Sequence, residues 1–262
     1  MIRSIYTAAT GMKANQLYID NISNNLSNVN TMGFKKSRVE FEDLMYQTIQ
    51  APGGESEQGV QKPTGLQIGL GTKATSNSKI FIQGNIINTG SPTDIAIQGD
   101  GFFQIQMPDG TTNYTRNGHF NKSAEGYLTT DQGFIIEPPI VVPEGTSDFG
   151  IDATGSVSVL FNGDSESTVI GQIELARFIN PGGMKALGGN LYQPTSASGT
   201  PFVGAPGMNS TGKLLPQSLE ASNVQMVEEM VNMIIAQRAY EVSSKAITTS
   251  DDMLNTANQL KR

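Results

Sequence analysis

Cysteine is absent from the 262 residues, and so is tryptophan. The missing cysteine excludes a disulfide framework, a thiolate metal site and a cysteine nucleophile. Histidine occurs once, as His119 in the stretch RNGHF. A metal site therefore has no second imidazole to recruit, and a nucleophile elsewhere in the chain has no imidazole base. His119 reads as a surface or half-buried turn residue. Charge is also scarce, at 16% of residues, with 17 basic against 24 acidic side chains and a net charge of −7. The densest basic cluster is Lys35, Lys36 and Arg38. An acidic chain without a longer basic patch lacks the electrostatic footprint of a nucleic-acid binder. No stretch approaches the roughly 20 apolar residues of a membrane span, so no membrane insertion is expected. Residues 1–16 hold no continuous apolar core of secretory-signal length. Any export is thus expected to proceed without an ordinary cleaved signal. No cofactor is expected.

What the chain does have is periodic apolar sequence at both ends. Ile5, Met12, Ile19 and Leu26 lie seven apart, and Ala8, Asn15, Ile22 and Val29 repeat that spacing three residues later. This is a coiled-coil-like seam with one polar intruder, Asn15. At the other end Leu219, Met226, Met233, Tyr240, Ile247 and Leu254 are again seven apart. Ala236, Ser243, Ser250 and Ala257 follow members of that row by three, and their size would let a second helix approach closely. Between about residues 224 and 261 there is neither Gly nor Pro, which predicts a helix roughly 57 Å long. Ser222 and Asn223 are candidate N-caps, with Glu228 and Glu229 near the positive end of the dipole.

The N-terminal stripe runs into NNLSNVNTMGFKKS, residues 24–37. Asparagine is a poor helix former because its side chain competes for the backbone. The asparagines are expected to keep the free helix weak and to make amide contacts away from the seam. Gly33 suits the left-handed position after a helix end, with Phe34 packing back on Val29.

From about Ile80 the period changes to two. Ile95 and Ile97 alternate, then Phe103, Ile105 and Met107, then Val157, Val159 and Phe161. Turn signals recur at PDGT (108–111), Asn117-Gly118, Gln132-Gly133 and Asn162-Gly163. The expected fold is α+β. Coiled-coil-like helical ends (1–33 and 223–262) pack together, extended arms (34–79 and 201–222) connect them, and an all-β domain fills 80–200. No carboxylate pair is marked for glycoside hydrolysis, and GDGFF lacks the strand-to-helix context of a phosphate loop.

These stretches carry a resemblance. NNLSNVNTMGFKKSRVEFEDL resembles the N-terminal signature of bacterial flagellar rod and hook axial proteins. GDGFFQIQMPDGTTNYTRNGHFNKSAEGYLTTDQGF is similar to their shared middle domain. LGGNLYQPTSASG and SNVQMVEEMVNMIIAQRAYEVSSKAITTSDDML resemble their C-terminal segments. The length, and YQTIQAPGG leading to PTGLQIGLG, resemble the distal-rod branch rather than the longer hook. Proximal rod or hook subunits are the alternatives, and a β-scaffold peptidoglycan hydrolase is the rival of another class.

The resemblance implies a helical homopolymer: a straight, hollow shaft that carries torque to the hook and forms part of the export channel. It implies proximal rod proteins, hook or hook-junction subunits and the surrounding P- and L-ring proteins as neighbours. Delivery would be by the type III export apparatus, to a rod crossing the periplasm. The two seven-residue rows would then be assembly seams, and Tyr46, Ile49, Pro52 and Gly53 would belong to an arm that stiffens the rod.

Overall fold

The computed structural model describes residues 2–51, 64–161, 166–208 and 210–260. Helices lie at the two ends of the chain and strands between them, an α+β architecture. The chain divides into two compact units. A helical unit comprises Met1–Leu26, Ser37–Ser78 and Gln225–Arg262, and a β unit comprises Ser27–Lys36 and Lys79–Val224.

In the helical unit, helix α1 spans Ile2–Ser27 and helix α2 spans Met226–Gln259. Helix α1 stops well before Gly33. Asn28 ends it by taking the Thr31 hydroxyl on its side chain and the Thr31 N–H on its carbonyl, the local competition that makes asparagine a turn residue. Gly33 does have a positive φ of 69°. It is required there for a close pass, since a side chain would strike the backbone of Arg116 and Asn117. Phe34 is buried under the Lys79 ammonium, 4.5 Å from its ring centroid. Helix α2 begins without a side-chain cap, its N-cap position being Gln225 rather than Ser222 or Asn223. Strands β1 (Ser37–Asp43), β2 (Tyr46–Gln50), β3 (Leu66–Gly69) and β4 (Thr72–Lys79) complete this unit as two ribbons, β1 with β4 and β2 with β3.

The β unit opens with β5 (Ile86–Asn88), β6 (Ile95–Gln98), β7 (Phe102–Gln106) and β8 (Thr112–Thr115). Strands β9 (Asn121–Lys122), β10 (Leu128–Thr129) and β11 (Ile135–Glu137) follow, then a separate sheet of β12 (Thr146–Ile151), β13 (Ser156–Phe161) and β14 (Thr168–Gln172). The rest are β15 (Leu175–Arg177), β16 (Lys185–Gly188), β17 (Leu191–Gln193), β18 (Phe202–Gly204), β19 (Lys213–Pro216) and β20 (Ser218–Glu220). The main sheet runs β16-β17-β8-β7-β11-β10-β9, with β15 on β7 and β18 on β15. Strand β19 pairs with β6 and β20 with β5, so the segment before α2 is woven into the unit.

Alternation captured one face of β7. Phe103 and Ile105 enter the main core with Ile95, Ile97, Val157 and Leu175. Phe102 points the other way, into an aromatic cluster with Tyr114, Phe178 and Tyr192, where rings meet edge to face. The strand is covered on both faces, so that Gln104, on the Phe102 side, is buried as well.

Burial in this cluster pushes the Tyr192 phenol up to about 12, with Glu220 adding to the rise and the Arg116 guanidinium opposing it. An unfolded tyrosine ionises near pH 10, so the unfolded chain loses the proton first. The stabilisation is complete below about pH 10 and is lost as pH climbs towards 12. Tyr192→Phe is expected to remove about 2 kcal/mol of alkaline destabilisation at pH 11.5, read as the change in urea midpoint between pH 9 and 11.5.

Candidate assembly surfaces

Contacts within the helical unit set the register of its two helices. Ser4 Oγ lies 3.2 Å from Ser250 Oγ. A β-carbon on Gly11 would sit 3.6 Å from Ser243 Oγ. Asn25 Nδ2 lies 3.4 Å from Glu229 Oε2. As one number rises by seven or fourteen, the other falls by the same amount, so α1 and α2 run antiparallel. Tyr18 and Ala236 occupy the remaining step of each row, and Ala236 is buried. Ala236, Ser243 and Ser250 thus share the row of α2 that meets α1.

The rows of large residues lie beside this contact rather than in it. Ile5, Met12, Ile19 and Leu26 are half-buried, as are Met233, Ile247 and Leu254, while Met226 and Tyr240 are exposed. Leu219 is not on α2. It lies in β20, buried and paired with Ile87. A chain can bury small residues internally and still carry uncovered large ones, and the first half of α2 does this. Met226, Val227, Met230, Val231, Ile234 and Ile235 are all exposed, Val227 at 75% and Ile234 at 57%.

The β2–β3 ribbon is similarly bare. Every residue of β2 is exposed, including Tyr46 and Ile49, and so are Leu66 and Ile68 across from it. Tyr46 pairs with Gly69 and lays its ring over it, 3.3 Å from where a β-carbon would be. The register shifts between Thr48 and Gln50, leaving Ile49 at a bulge. Pro52 and Gly53, expected to extend this arm, lie outside the described residues.

Asparagine has a role that the repeat alone did not disclose. Asn25 is buried on the contact row. Its Nδ2 donates to the Ser37 carbonyl and its Oδ1 accepts the Ser37 N–H, both at 2.9 Å, as a neighbouring strand would. Asn21 Oδ1 lies 3.4 Å from the same Nδ2, and Asn21 Nδ2 donates to Asn77 Oδ1 at 3.1 Å. These amides tie α1 to β1 and β4, beside the row of large residues. Burial raises the Tyr18 phenol beside them, with Glu229 and Glu228 adding.

Asn25→Ala strips both partners from the buried Ser37 peptide and is expected to cost about 2–4 kcal/mol. Asn25→Asp should cost more, since it sets a second carboxylate against the buried Glu229. Urea unfolding followed by helical circular dichroism checks the order.

His119 has an acceptor at each ring nitrogen. Nδ1 is 2.7 Å from Asp94 Oδ1 and Nε2 is 3.5 Å from Asp131 Oδ1. The Thr89 hydroxyl donates to the far oxygen of Asp94. The hydroxyl therefore sits behind the carboxylate, and Nε2 faces a carboxylate where a triad would hold a nucleophile. Among the described residues no cluster of three His, Cys, Asp or Glu side chains could hold a metal ion, and no helix is long and apolar enough to cross a membrane.

A helix pair closed by small residues, an uncovered apolar helix face and a bare ribbon define a structural protein of the kind that packs beside other chains. Comparison with known proteins gives the particular family. Residues 5–35 match the flagella basal body rod protein family, 96–159 the flagellar hook protein FlgE/F/G D1 domain, and 215–260 the flagellar basal body rod FlgEFG protein C-terminal family. The chain is 49% identical over 264 residues to the flagellar basal-body rod protein FlgG of Borreliella burgdorferi, covering 100% of both. It is 45% identical to that of Caulobacter vibrioides, covering 99% of this chain and 100% of the relative. Its identity to the flagellar hook protein FlgE of Helicobacter pylori is 38% over 189 residues, which cover 71% of this chain but 26% of that one. The chain belongs to the FlgG family of flagellar basal-body rod proteins and is a structural subunit of the flagellar rod.

Proposed function

We propose that the chain polymerises with copies of itself into the distal part of the rod, a straight hollow shaft that passes torque to the hook and forms part of the export channel. The observation that carries this reading is the exposed apolar run on the first half of α2. A second copy is its natural cover, because the small-residue row already occupies the face turned to α1. The apolar run and the bare ribbon are different in shape and chemistry. A contact pairing unlike patches is heterologous, and heterologous contacts that do not close generate open helical filaments. Coiled-coil-like packing of the helical ends between copies follows from the same rows. Ile5, Met12, Ile19, Leu26, Met233, Ile247 and Leu254 would become fully buried there.

The proposed neighbours are the proximal rod proteins, hook or hook-junction subunits and the P- and L-ring proteins. Delivery is by the type III export apparatus, without signal cleavage, to a rod crossing the periplasm. The proposed role is structural rather than enzymatic. Electron microscopy of the purified chain at rising concentration tests the reading. Straight hollow tubes are expected, and a chain that stays monomeric or forms closed rings would refute it.

A further inference from the structure

A buried ionic cluster in the β unit gathers three distant parts of the chain. Glu220 Oε1 accepts from Lys35 Nζ at 2.6 Å and from the Gly84 N–H at 2.8 Å. Glu220 Oε2 lies 3.1 Å from Arg116 Nε. The side chains of Lys35, Glu220 and Arg116 are 0%, 1% and 4% exposed. Lys35 Nζ also donates to the Ile82 carbonyl, and Arg116 Nη1 to the carbonyls of Gly99 and Gly101. Burial holds the Lys35 ammonium below the ordinary lysine range, Glu220 pulling it back up and Arg116 adding to the fall.

The backbone around this cluster is cross-tied. Gly33 N–H donates to the Glu220 carbonyl and Ala221 N–H to the Asn85 carbonyl. Asn223 accepts the Lys36 N–H and donates to the carbonyls of Ile80 and Ile82. Gly84 passes so close that a side chain would run into the Ala221 carbonyl. The three stretches held together, around residues 33–36, 79–85 and 220–224, adjoin three of the four points at which the chain passes between the two units.

The charge count gives the cluster a direction. It contains two cations and one anion, all out of water. Remove the anion and two buried cations face each other, a state proteins avoid by opening to solvent. The cations stand early in the chain, at 35 and 116, and the anion arrives last, at 220. Arg116 follows β8 directly, so the site between it and Lys35 stays open to water at the end of that strand until residue 220 arrives.

We infer that Glu220 is a closing latch: the β unit can exclude water at this junction only after the segment leading into α2 has docked, so that closure is conditional on both ends of the chain. A chain lacking that segment holds its β unit open. The latch does not depend on polymerisation and would act in the single subunit.

Two measurements on the full-length chain test it. In the first, refolding is pulsed with hydrogen exchange. The amides of β7 and β8 should gain protection in the same kinetic phase as those of Gly84 and Ala221. Protection of β7 and β8 in a phase at least about tenfold faster would show that closure does not wait for Glu220 and overturn the inference.

The second measurement separates charge from hydrogen bonding. Glu220→Gln keeps the shape and removes the charge. It should raise exchange at Gly33, Gly84 and Ala221 by about 100-fold or prevent folding altogether. Adding Lys35→Met removes one of the stranded cations and should recover at least about tenfold of that loss, or restore folding. A double variant as open as Glu220→Gln alone, or more so, would mean that Glu220 acts through its hydrogen bonds and is no latch of this kind.

Discussion

Ile234→Asp is expected to abolish tube formation and leave the single subunit folded. The residue is more than half exposed within one chain, between Val231 and Ile235 on an apolar stretch of α2. Substitutions at such exposed positions usually change stability by no more than about 0.5 kcal/mol. In the proposed polymer the same position would be covered by another copy. A carboxylate then has to be desolvated in an apolar contact, at a cost of several kcal/mol. It also forfeits the roughly 1.5–3 kcal/mol of burying an isoleucine. The loss recurs at every lattice point, so elongation fails rather than slows. Sedimentation should find monomer at concentrations where the parent chain is expected to pellet, with β-unit amides as protected as in the parent. Ala236→Leu provides the contrast. Ala236 lies on the row that meets α1, so a larger side chain should loosen the helical unit of the monomer itself. Normal tubes from Ile234→Asp would show that the exposed half of α2 is not an interface.

The register of the two helices explains why the sequence was legible in part. A seven-residue apolar row announces which residues seek burial, but not against what. Within the chain Ser4 meets Ser250 and Gly11 faces Ser243, and Ala236 is buried on the same row. The large residues one or two positions away are left half-covered. The large rows were read as assembly seams, and within one chain those on the two helices stay half-covered or exposed beside the small-residue contacts. The small residues of α2 were visible as a second row, whereas Gly11 carried no such signal in the sequence.

Other features were invisible for definite reasons. Lys35 and Glu220 are 185 residues apart, and nothing local marks either as buried. A lysine following Gly33 and Phe34 reads as a cation near a helix end. Asn25 looked like one weak helix former among five, yet its amide pairs with both polar groups of the Ser37 backbone. Long-range pairing of this sort leaves no periodic trace. The β unit was easier, because Ile95, Ile97, Phe103, Ile105, Val157 and Val159 declare their strands by alternation, and all six are buried in one core or its walls. Even there, Phe102 was hidden by its neighbour, since a strand covered on both faces loses the alternation that reveals it.

The ribbon of β2 and β3 should govern the stiffness of the tube rather than its formation. An isolated two-stranded ribbon is marginally stable at best in water, and this one exposes Tyr46, Ile49, Leu66 and Ile68. Such a surface gains order when another surface covers it. Each of these side chains contributes about 1–3 kcal/mol on burial. That is modest beside the helix contacts but repeats at every subunit. A rotating curved tube needs subunits that slide past each other on each turn, and a ribbon seated on a neighbour resists that sliding. Replacing Tyr46, Ile49 and Ile68 together by serine keeps the backbone pairing and removes most of the apolar cover. Surface substitutions of this kind should leave the monomer intact, and tubes should still nucleate through α2. They are expected to come out curved or short, with a lower persistence length in electron micrographs and weaker motility in viscous medium. Straight tubes of parental length and stiffness from the triple variant would place rigidity in the helical contacts and leave the ribbon without a mechanical role.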